Sequence, residues 1–300
     1  MIKLSKSCIS IKEIKAVNKV LSKEYLGMGP EVKKFENDLN FFFKREVVCV
    51  SSGTAALQLA LQALGIKKGD EVLVPAITYV ATFQAISATG AKLIMCDVDK
   101  DNLIISIKDA KKKLTKKTKV IMPVFYAGNP GNIEEIYKFA KKNKIRVIED
   151  AAHAFGSVYK KKKIGSFGDI SCFSFDGIKN ITSGEGGCVV TDNKKNINTI
   201  KDLRLLGVSN DSAKRYTGKR SWNFNVKQQG WRYHMSDINA AIGRVQLKRF
   251  NHLKNARQKI CKYYDSNFLK FKKVQIFNRD FNREVPHIYV LLINNLKKRE

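Results

Sequence analysis

KVIMPVFYAGNPGNIEEIYKFAKKNKIRVIED, residues 119–150, holds one complete strand–helix–strand passage. Lys119 to Val124 is a short apolar run of the kind that forms a buried strand. Across 131–143, Ile133, Ile136, Phe139 and Ala140 recur at helical spacing on one face, with Glu and Lys opposite. Arg146 to Ile148 reads as the next strand, ending at Glu149-Asp150. The same alternation continues outward. Residues 54–64 (TAALQLALQAL) are apolar and rich in helix formers, and Gly65 stops that helix. Gly69-Asp70 turns the chain into the strand Glu71 to Pro75. Residues 79–88 read as helix and Lys92 to Cys96 as strand, and Ser106 caps a helix that runs to Leu114. This rhythm predicts an α/β fold with a mainly parallel sheet covered by helices. Beyond Val189 the pattern turns helical. Ser236 stands as N-cap of a long helix through Ile238, Ala241, Ile242 and Val245. A second domain is expected to begin around 246–270.

Composition bounds the function. At 44% hydrophobic and 10% aromatic, the 300 residues can build a large core, which excludes a disordered chain. One large domain and a smaller one is the expected division. No apolar run approaches the ~18 residues of a membrane-spanning helix. The start, MIKLSKSCIS, lacks the apolar stretch of a signal peptide. The six cysteines, at 8, 49, 96, 172, 188 and 261, form no C-x-x-C pair. They read as reduced thiols of a cytoplasmic protein, not as a disulfide framework or a metal site. The net charge of +29 raises nucleic acid as a partner. However, 44 of the 56 basic residues are Lys and only 12 are Arg, the usual base reader. Runs such as Lys111-Lys112-Lys113 read as solvated surface.

Four constellations sit at element ends. In Ser51-Ser52-Gly53-Thr54-Ala55-Ala56 a strand (Val47 to Val50) ends, Gly53 permits a tight turn, and a helix begins. Its first N–H groups suit a phosphate, and an ordinary capped helix is the plain alternative. In Ile148-Glu149-Asp150-Ala151-Ala152-His153, Asp150 lies where parallel sheets bind ligands. It could hold a protonated heterocyclic nitrogen, with the His153 ring nearby; a turn cap and a core histidine are the alternative. Phe173 to Asn180 runs from a strand into a small-residue loop with one lysine, followed by Gly184-Glu185-Gly186-Gly187. Lys179 could lose its proton near apolar residues and form a Schiff base with a carbonyl cofactor. For any one of 44 lysines the alternative is surface charge. Gly230 to Asp237 mixes rings with Arg232 and His234 and could reach a phosphate, in its own subunit or a neighbour's. Its alternative is a hydrophobic staple and cap.

Together these stretches resemble the DegT/DnrJ/EryC1/StrS family of pyridoxal-phosphate-dependent nucleotide-sugar aminotransferases. The matching strings are LGMGPEVKKFE at 26–36, SSGTAAL at 51–57, VLVPAITYVAT at 72–82, PVFYAG at 123–128 and VIEDAAHAFGS at 147–157. They continue with GSFGDISCFSFDGIKNITSGEGG at 165–187 and GWRYHMSDINAAIG at 230–243. The resemblance implies the type I aminotransferase fold, with a large cofactor-binding domain over 1–245 and a small C-terminal α+β domain over 246–300. It implies a homodimer, pyridoxal 5′-phosphate as cofactor, and no metal, nucleic-acid or membrane partner. Lys179 matches the lysine that binds the cofactor covalently, and Asp150 the carboxylate at the pyridine nitrogen. Tyr79 matches the ring stacked on the cofactor, and His153 the residue near its other side. Gly53, Thr54, Ala55 and Ser174 fall at the phosphate contacts, and Arg232 and His234 in the segment that reaches the partner's phosphate. The implied reaction passes an amino group, typically from glutamate, to a nucleotide-linked keto-sugar for cell-surface polysaccharide or glycoconjugate synthesis.

Three departures accompany the resemblance. Arg232 and His234 stand where the family usually carries Asn and Arg. Phe125 replaces a frequent His and is expected to alter the substrate side of the pocket. Residues 287–300 read as the first strand of the small domain and the start of its next helix, so that domain is expected to be incomplete. A catalytically impaired cofactor-binding homologue acting through a partner chain, and an aminotransferase acting on a cyclitol, are the alternatives. A nucleic-acid-binding protein is a further alternative, motivated by charge only. Lys179 argues against the family's dehydrating branch, which carries His at that position.

Overall fold

The computed structural model describes residues 5–209 and 225–294. Among them a central sheet has seven strands, in the order β1 (Val47–Val50), β9 (Gly187–Val190), β8 (Ile170–Ser174), β5 (Arg146–Asp150), β4 (Thr118–Ile121), β2 (Glu71–Pro75) and β3 (Lys92–Cys96). β9 runs antiparallel to both neighbours and the other pairs are parallel. Six carboxyl ends therefore share one edge, the edge where such sheets bind ligands. The strand expected over Lys119 to Val124 stops at Ile121. Pro123 has no N–H to donate, and pairing resumes only as a bridge from Val124 to Asp150.

Strand alternation divides the side chains between two cores. Val47 and Cys49 join one, Val48 and Val50 the other. Helices α3 (Gly53–Ala63), α4 (Val80–Ser87) and α7 (Lys194–Leu203) cover the second core. Helices α2 (Pro30–Phe43), α5 (Ile107–Lys113) and α6 (Ile133–Lys142) cover the first. The faces behave as their sequences dictate: α6 buries Ile133, Ile136, Phe139 and Ala140 and leaves its Glu and Lys residues outside. Ser106 caps α5 by accepting from Asp109 N at 3.3 Å. A short helix, α1 (Ile11–Leu21), precedes these elements, and a small hairpin joins β6 (Val158–Tyr159) to β7 (Lys162–Lys163).

Ser236 caps α8 (Asp237–Lys248), which hands over at Arg249 to α9 (Phe250–Phe268). Phe250 and Leu253 still belong to the main core. The C-terminal strand order differs from the reading of 287–300 as an opening strand. β10 (Val274–Ile276) comes first, and β11 (Leu291–Ile293) pairs antiparallel to it. β10 has only three residues in a polar stretch, too short for a periodic signal. The start of the helix expected at the end of that stretch lies outside the described residues. Between the two strands the chain returns to the start of the β6–β7 hairpin: Arg283 O accepts from Val158 N at 2.7 Å, and Val285 N donates to Ser157 Oγ at 3.0 Å.

Candidate active site

Four strand ends build the site. β1 ends at Ser51-Ser52, and the Ser52 hydroxyl caps α3 by accepting from Ala55 N at 3.0 Å. The first N–H groups of a helix have no partner within it, so those of Gly53 and Thr54 point outward. β8 brings Ser174 against this turn. A Cβ on Gly53 would lie 2.8 Å from Ser174 Cβ and 3.3 Å from its Cα. Only glycine lets the two segments meet this closely. The result is a cradle of N–H groups and hydroxyls with the chemistry of a phosphate site.

β5 delivers Asp150, 5% exposed. Its Oδ2 accepts from Thr82 Oγ1 at 2.7 Å and its Oδ1 from Ala152 N at 3.2 Å. Thr82 in turn shares a 2.6 Å hydrogen bond with Thr78, so the first turn of α4 sits on the carboxylate. Burial pushes the Asp150 carboxyl above its usual range, while Thr82, Ala152 N–H and the Lys179 charge pull it back. Tyr79 occupies the N-cap of α4, beside Thr78, and is 70% exposed.

Lys179 is half-buried in the loop after β8. Burial lowers its ammonium's affinity for its proton, with Asp150 and Asp176 opposing. Its Nζ lies 3.4 Å from Nε2 of His287. His153 accepts from Ala127 N at 3.3 Å, and its ring lies 4.3 Å from the His287 ring. Burial and the Lys179 charge push the His153 imidazole down to about 3, so it is neutral at ordinary pH.

Lys179, Asp150 and His153 thus converge, with Gly53, Thr54, Ala55 and Ser174 forming the adjoining cradle. Arg232 and His234 arrive by another route. Their segment lines the end of β1, with Ser51 N donating to Tyr233 O at 2.7 Å and His234 bridged to Val50. Its rings follow the plainer reading. Trp231 and Tyr233 stack on each other and donate to Gln62 and Gln58 of α3. Arg232 is exposed. Phe125, expected to alter the substrate side of the pocket, is fully buried in the main core. Its N–H donates to Asp150 O at 3.0 Å, which holds the ring beneath the strand ends.

Sequence reasoning misses His287, Asn180, Arg257 and Thr82. Asn180 Nδ2 lies within 3.2 Å of both Phe155 O and Val285 O. Arg257 of α9 donates to Ile178 O, Lys179 O and His287 O. One signal could have found the first of them: the chain has only four histidines, and two of them meet beside Lys179.

Comparison with known proteins gives the family. The family model described as the DegT/DnrJ/EryC1/StrS aminotransferase family matches residues 7–300. The chain belongs to this family. It is 40% identical over 291 residues to an uncharacterized protein of Methanocaldococcus jannaschii, covering 96% of this chain and 75% of that one. It is 36% identical to the spore coat polysaccharide biosynthesis protein SpsC of Bacillus subtilis, with the same coverage. A putative sugar aminotransferase from Streptococcus pneumoniae, solved in its PMP form, superposes with a TM-score of 0.89 at 30% identity. That match covers 98% of this chain and 78% of the other. The same protein is also solved in a PLP form. The chain is accordingly a pyridoxal-phosphate-dependent aminotransferase of type I fold. The donor set fits the cofactor: a phosphate cradle that a Cβ at Gly53 would crowd, a buried carboxylate held by hydroxyl and amide donors, and a lysine amine with weakened hold on its proton. No helix among the described residues is long and apolar enough to cross a membrane.

Proposed function

We propose that the chain transfers an amino group from glutamate to a keto-sugar carried on a nucleotide, giving an amino-sugar for cell-surface polysaccharide or glycoconjugate synthesis. The Lys179 amine and the buried Asp150 carboxylate, each within electrostatic reach of the other at the carboxyl edge of the sheet, carry this reading. The similarity to the spore coat polysaccharide protein supports the choice of a sugar acceptor.

When bound, pyridoxal phosphate supplies an electron sink that lets a proton leave the donor's Cα. The α3 N-terminus, through Gly53, Thr54 and Ala55, together with Ser174, would hold the phosphate. Asp150 would face the ring nitrogen. Thr82 and the Ala152 N–H favour its ionised form, which keeps the opposing nitrogen protonated. Tyr79 would cover one face of the ring, and the neutral His153 would lie toward the other. Lys179 Nζ would carry the proton between the substrate Cα and the cofactor carbon that bears the nitrogen, as general base and then general acid within each half-reaction. An amine whose ammonium is destabilised by burial is suited to both duties.

The reading includes a cytoplasmic homodimer in which Arg232 and His234 reach the partner's cofactor phosphate. Arg232 is exposed at the sheet edge beside the phosphate turn, and all six cysteines are free thiols, which supports both parts. The test is a half-reaction. Purified holoprotein given glutamate without acceptor should release one equivalent of 2-oxoglutarate and then aminate one member of a panel of keto-sugar nucleotides. Lys179→Ala should do neither; full turnover by that variant would overturn the assignment.

A further inference from the structure

We propose that His287 is a positioning residue for the reaction, holding the Lys179 amine in place whenever that amine is not engaged with the cofactor. The inference rests on Lys179 being the reactive lysine. Four rotatable carbons give a free lysine amine many positions, and confining such a side chain costs rotamer entropy. A partner already fixed in place confines it without added disorder elsewhere.

The structure fixes that partner unusually firmly. Lys179 and His287 are 108 residues apart, yet Nζ and Nε2 lie 3.4 Å from each other. Two side chains hold both backbones together. Arg257 donates to His287 O at 3.0 Å, Lys179 O at 3.0 Å and Ile178 O at 2.9 Å. Asn180, the residue after the lysine, donates to Val285 O and Phe155 O. His287 N donates to Ala127 O, and the same loop's Ala127 N donates to His153 Nδ1. The approach of Nζ to His287 is thus set by a small rigid frame of three segments.

The groups facing this pair are Asp150 from β5, Asp176 from the lysine's own loop, Arg257 from α9, and the His153 ring. His287 is 9% exposed. Burial, His153, Lys179 and Arg257 together push its imidazole down to about 2. It is therefore neutral throughout the working range. In the tautomer that leaves Nε2 without a proton, that nitrogen accepts from the lysine; Nδ1 is buried with no hydrogen-bond partner among the described residues.

The experiment uses the full chain stripped of cofactor. Covalent capture of added pyridoxal phosphate is followed by visible absorbance and borohydride trapping, from about pH 6 to about pH 9. kcat and the donor KM are measured on the reloaded protein. His287→Ala should slow capture about tenfold and lower kcat similarly, with the donor KM unchanged. His287→Gln, which keeps a neutral acceptor at nearly the same reach, should recover to within about threefold of the original protein with the same pH profile. Capture by His287→Ala at the original rate, or equal impairment of both variants, would overturn the proposal. If the alanine variant does not fold, His287→Leu takes its place in the same comparison. Lys179→Ala separates the two levels. Trapped cofactor on that variant would defeat the parent assignment, whereas loss of capture there with normal capture by His287→Ala would defeat this inference alone.

Discussion

Glu149 and Asp150 are consecutive carboxylates at the end of β5, both buried, and they face opposite sides of the sheet. Asp150 looks toward α4, where Thr82 donates to it, and feels the Lys179 charge. Glu149 looks toward α6, where Tyr137 donates at 2.8 Å, and Ser171 donates from the neighbouring strand. Its cation, Arg45, is spent on Asp192 and the carbonyls of Gly165 and Phe167. Burial therefore dominates and pushes Glu149 up to about 7. A one-residue step along a strand turns a ligand-facing acid into a structural one. The lesson is that an acid's position in the alternation decides its chemistry, since the two residue types are nearly equivalent.

The largest effect is expected on the ligand side. Asp150→Asn keeps the Thr82 contact but removes the charge, and should lower kcat by roughly 10²–10³-fold while the thermal midpoint moves little. Activity close to that of the original protein would erase the distinction between the two faces. Gly53→Ala tests the cradle. Its Cβ would meet Ser174 at 2.8 Å, so cofactor affinity, measured by titration of the stripped protein, should weaken about tenfold. Unchanged affinity would mean that the turn has room to relax.

The smallest effect on turnover belongs to the structural side. Glu149→Gln should retain kcat within about threefold. Its signature is in stability. The folded chain holds the Glu149 proton up to about pH 7, against a usual value of 4.5. Between those limits the native state binds more protons than the unfolded one. Stability from this group is therefore full at low pH and falls as pH rises through the window, by on the order of 3 kcal/mol. Thermal midpoints of the original protein should fall between about pH 5 and about pH 7.5 more steeply than those of Glu149→Gln. Parallel curves would show that Glu149 is ionised in the fold and that the asymmetry is weaker than its burial implies.

Much of this is legible in the amino-acid sequence. Lys92 to Cys96 and Glu71 to Pro75 are strands with the expected bounds, and the α6 face is the one its spacing marks. Lys179, Asp150 and Ser174 are each ambiguous alone, and the family resemblance of their motifs is what names them. The misreadings share a cause. Phe125 is expected at the pocket because it replaces a His frequent in the family, yet its side chain is fully buried in the core. Trp231 and Tyr233 suggest ligand contact, but Gln58 and Gln62 sit one turn apart on α3 and take their polar atoms. β10 and His287 lie in stretches without periodicity, so only their distant partners give them a place.

By itself the sequence determined the alternating architecture and, through its resemblance to the family, proposed the phosphate turn and the lysine–carboxylate pair. Periodicity and local turn chemistry act within a few residues, and a string of letters preserves them. Only the tertiary structure decided that Thr82 supports Asp150, that Phe125 is core, and that Arg257 and Asn180 lock His287 beside Lys179. Those contacts join residues 30 to 108 positions apart. Their existence depends on which strand ends share an edge, and that is settled by packing two cores around one sheet rather than by any local preference.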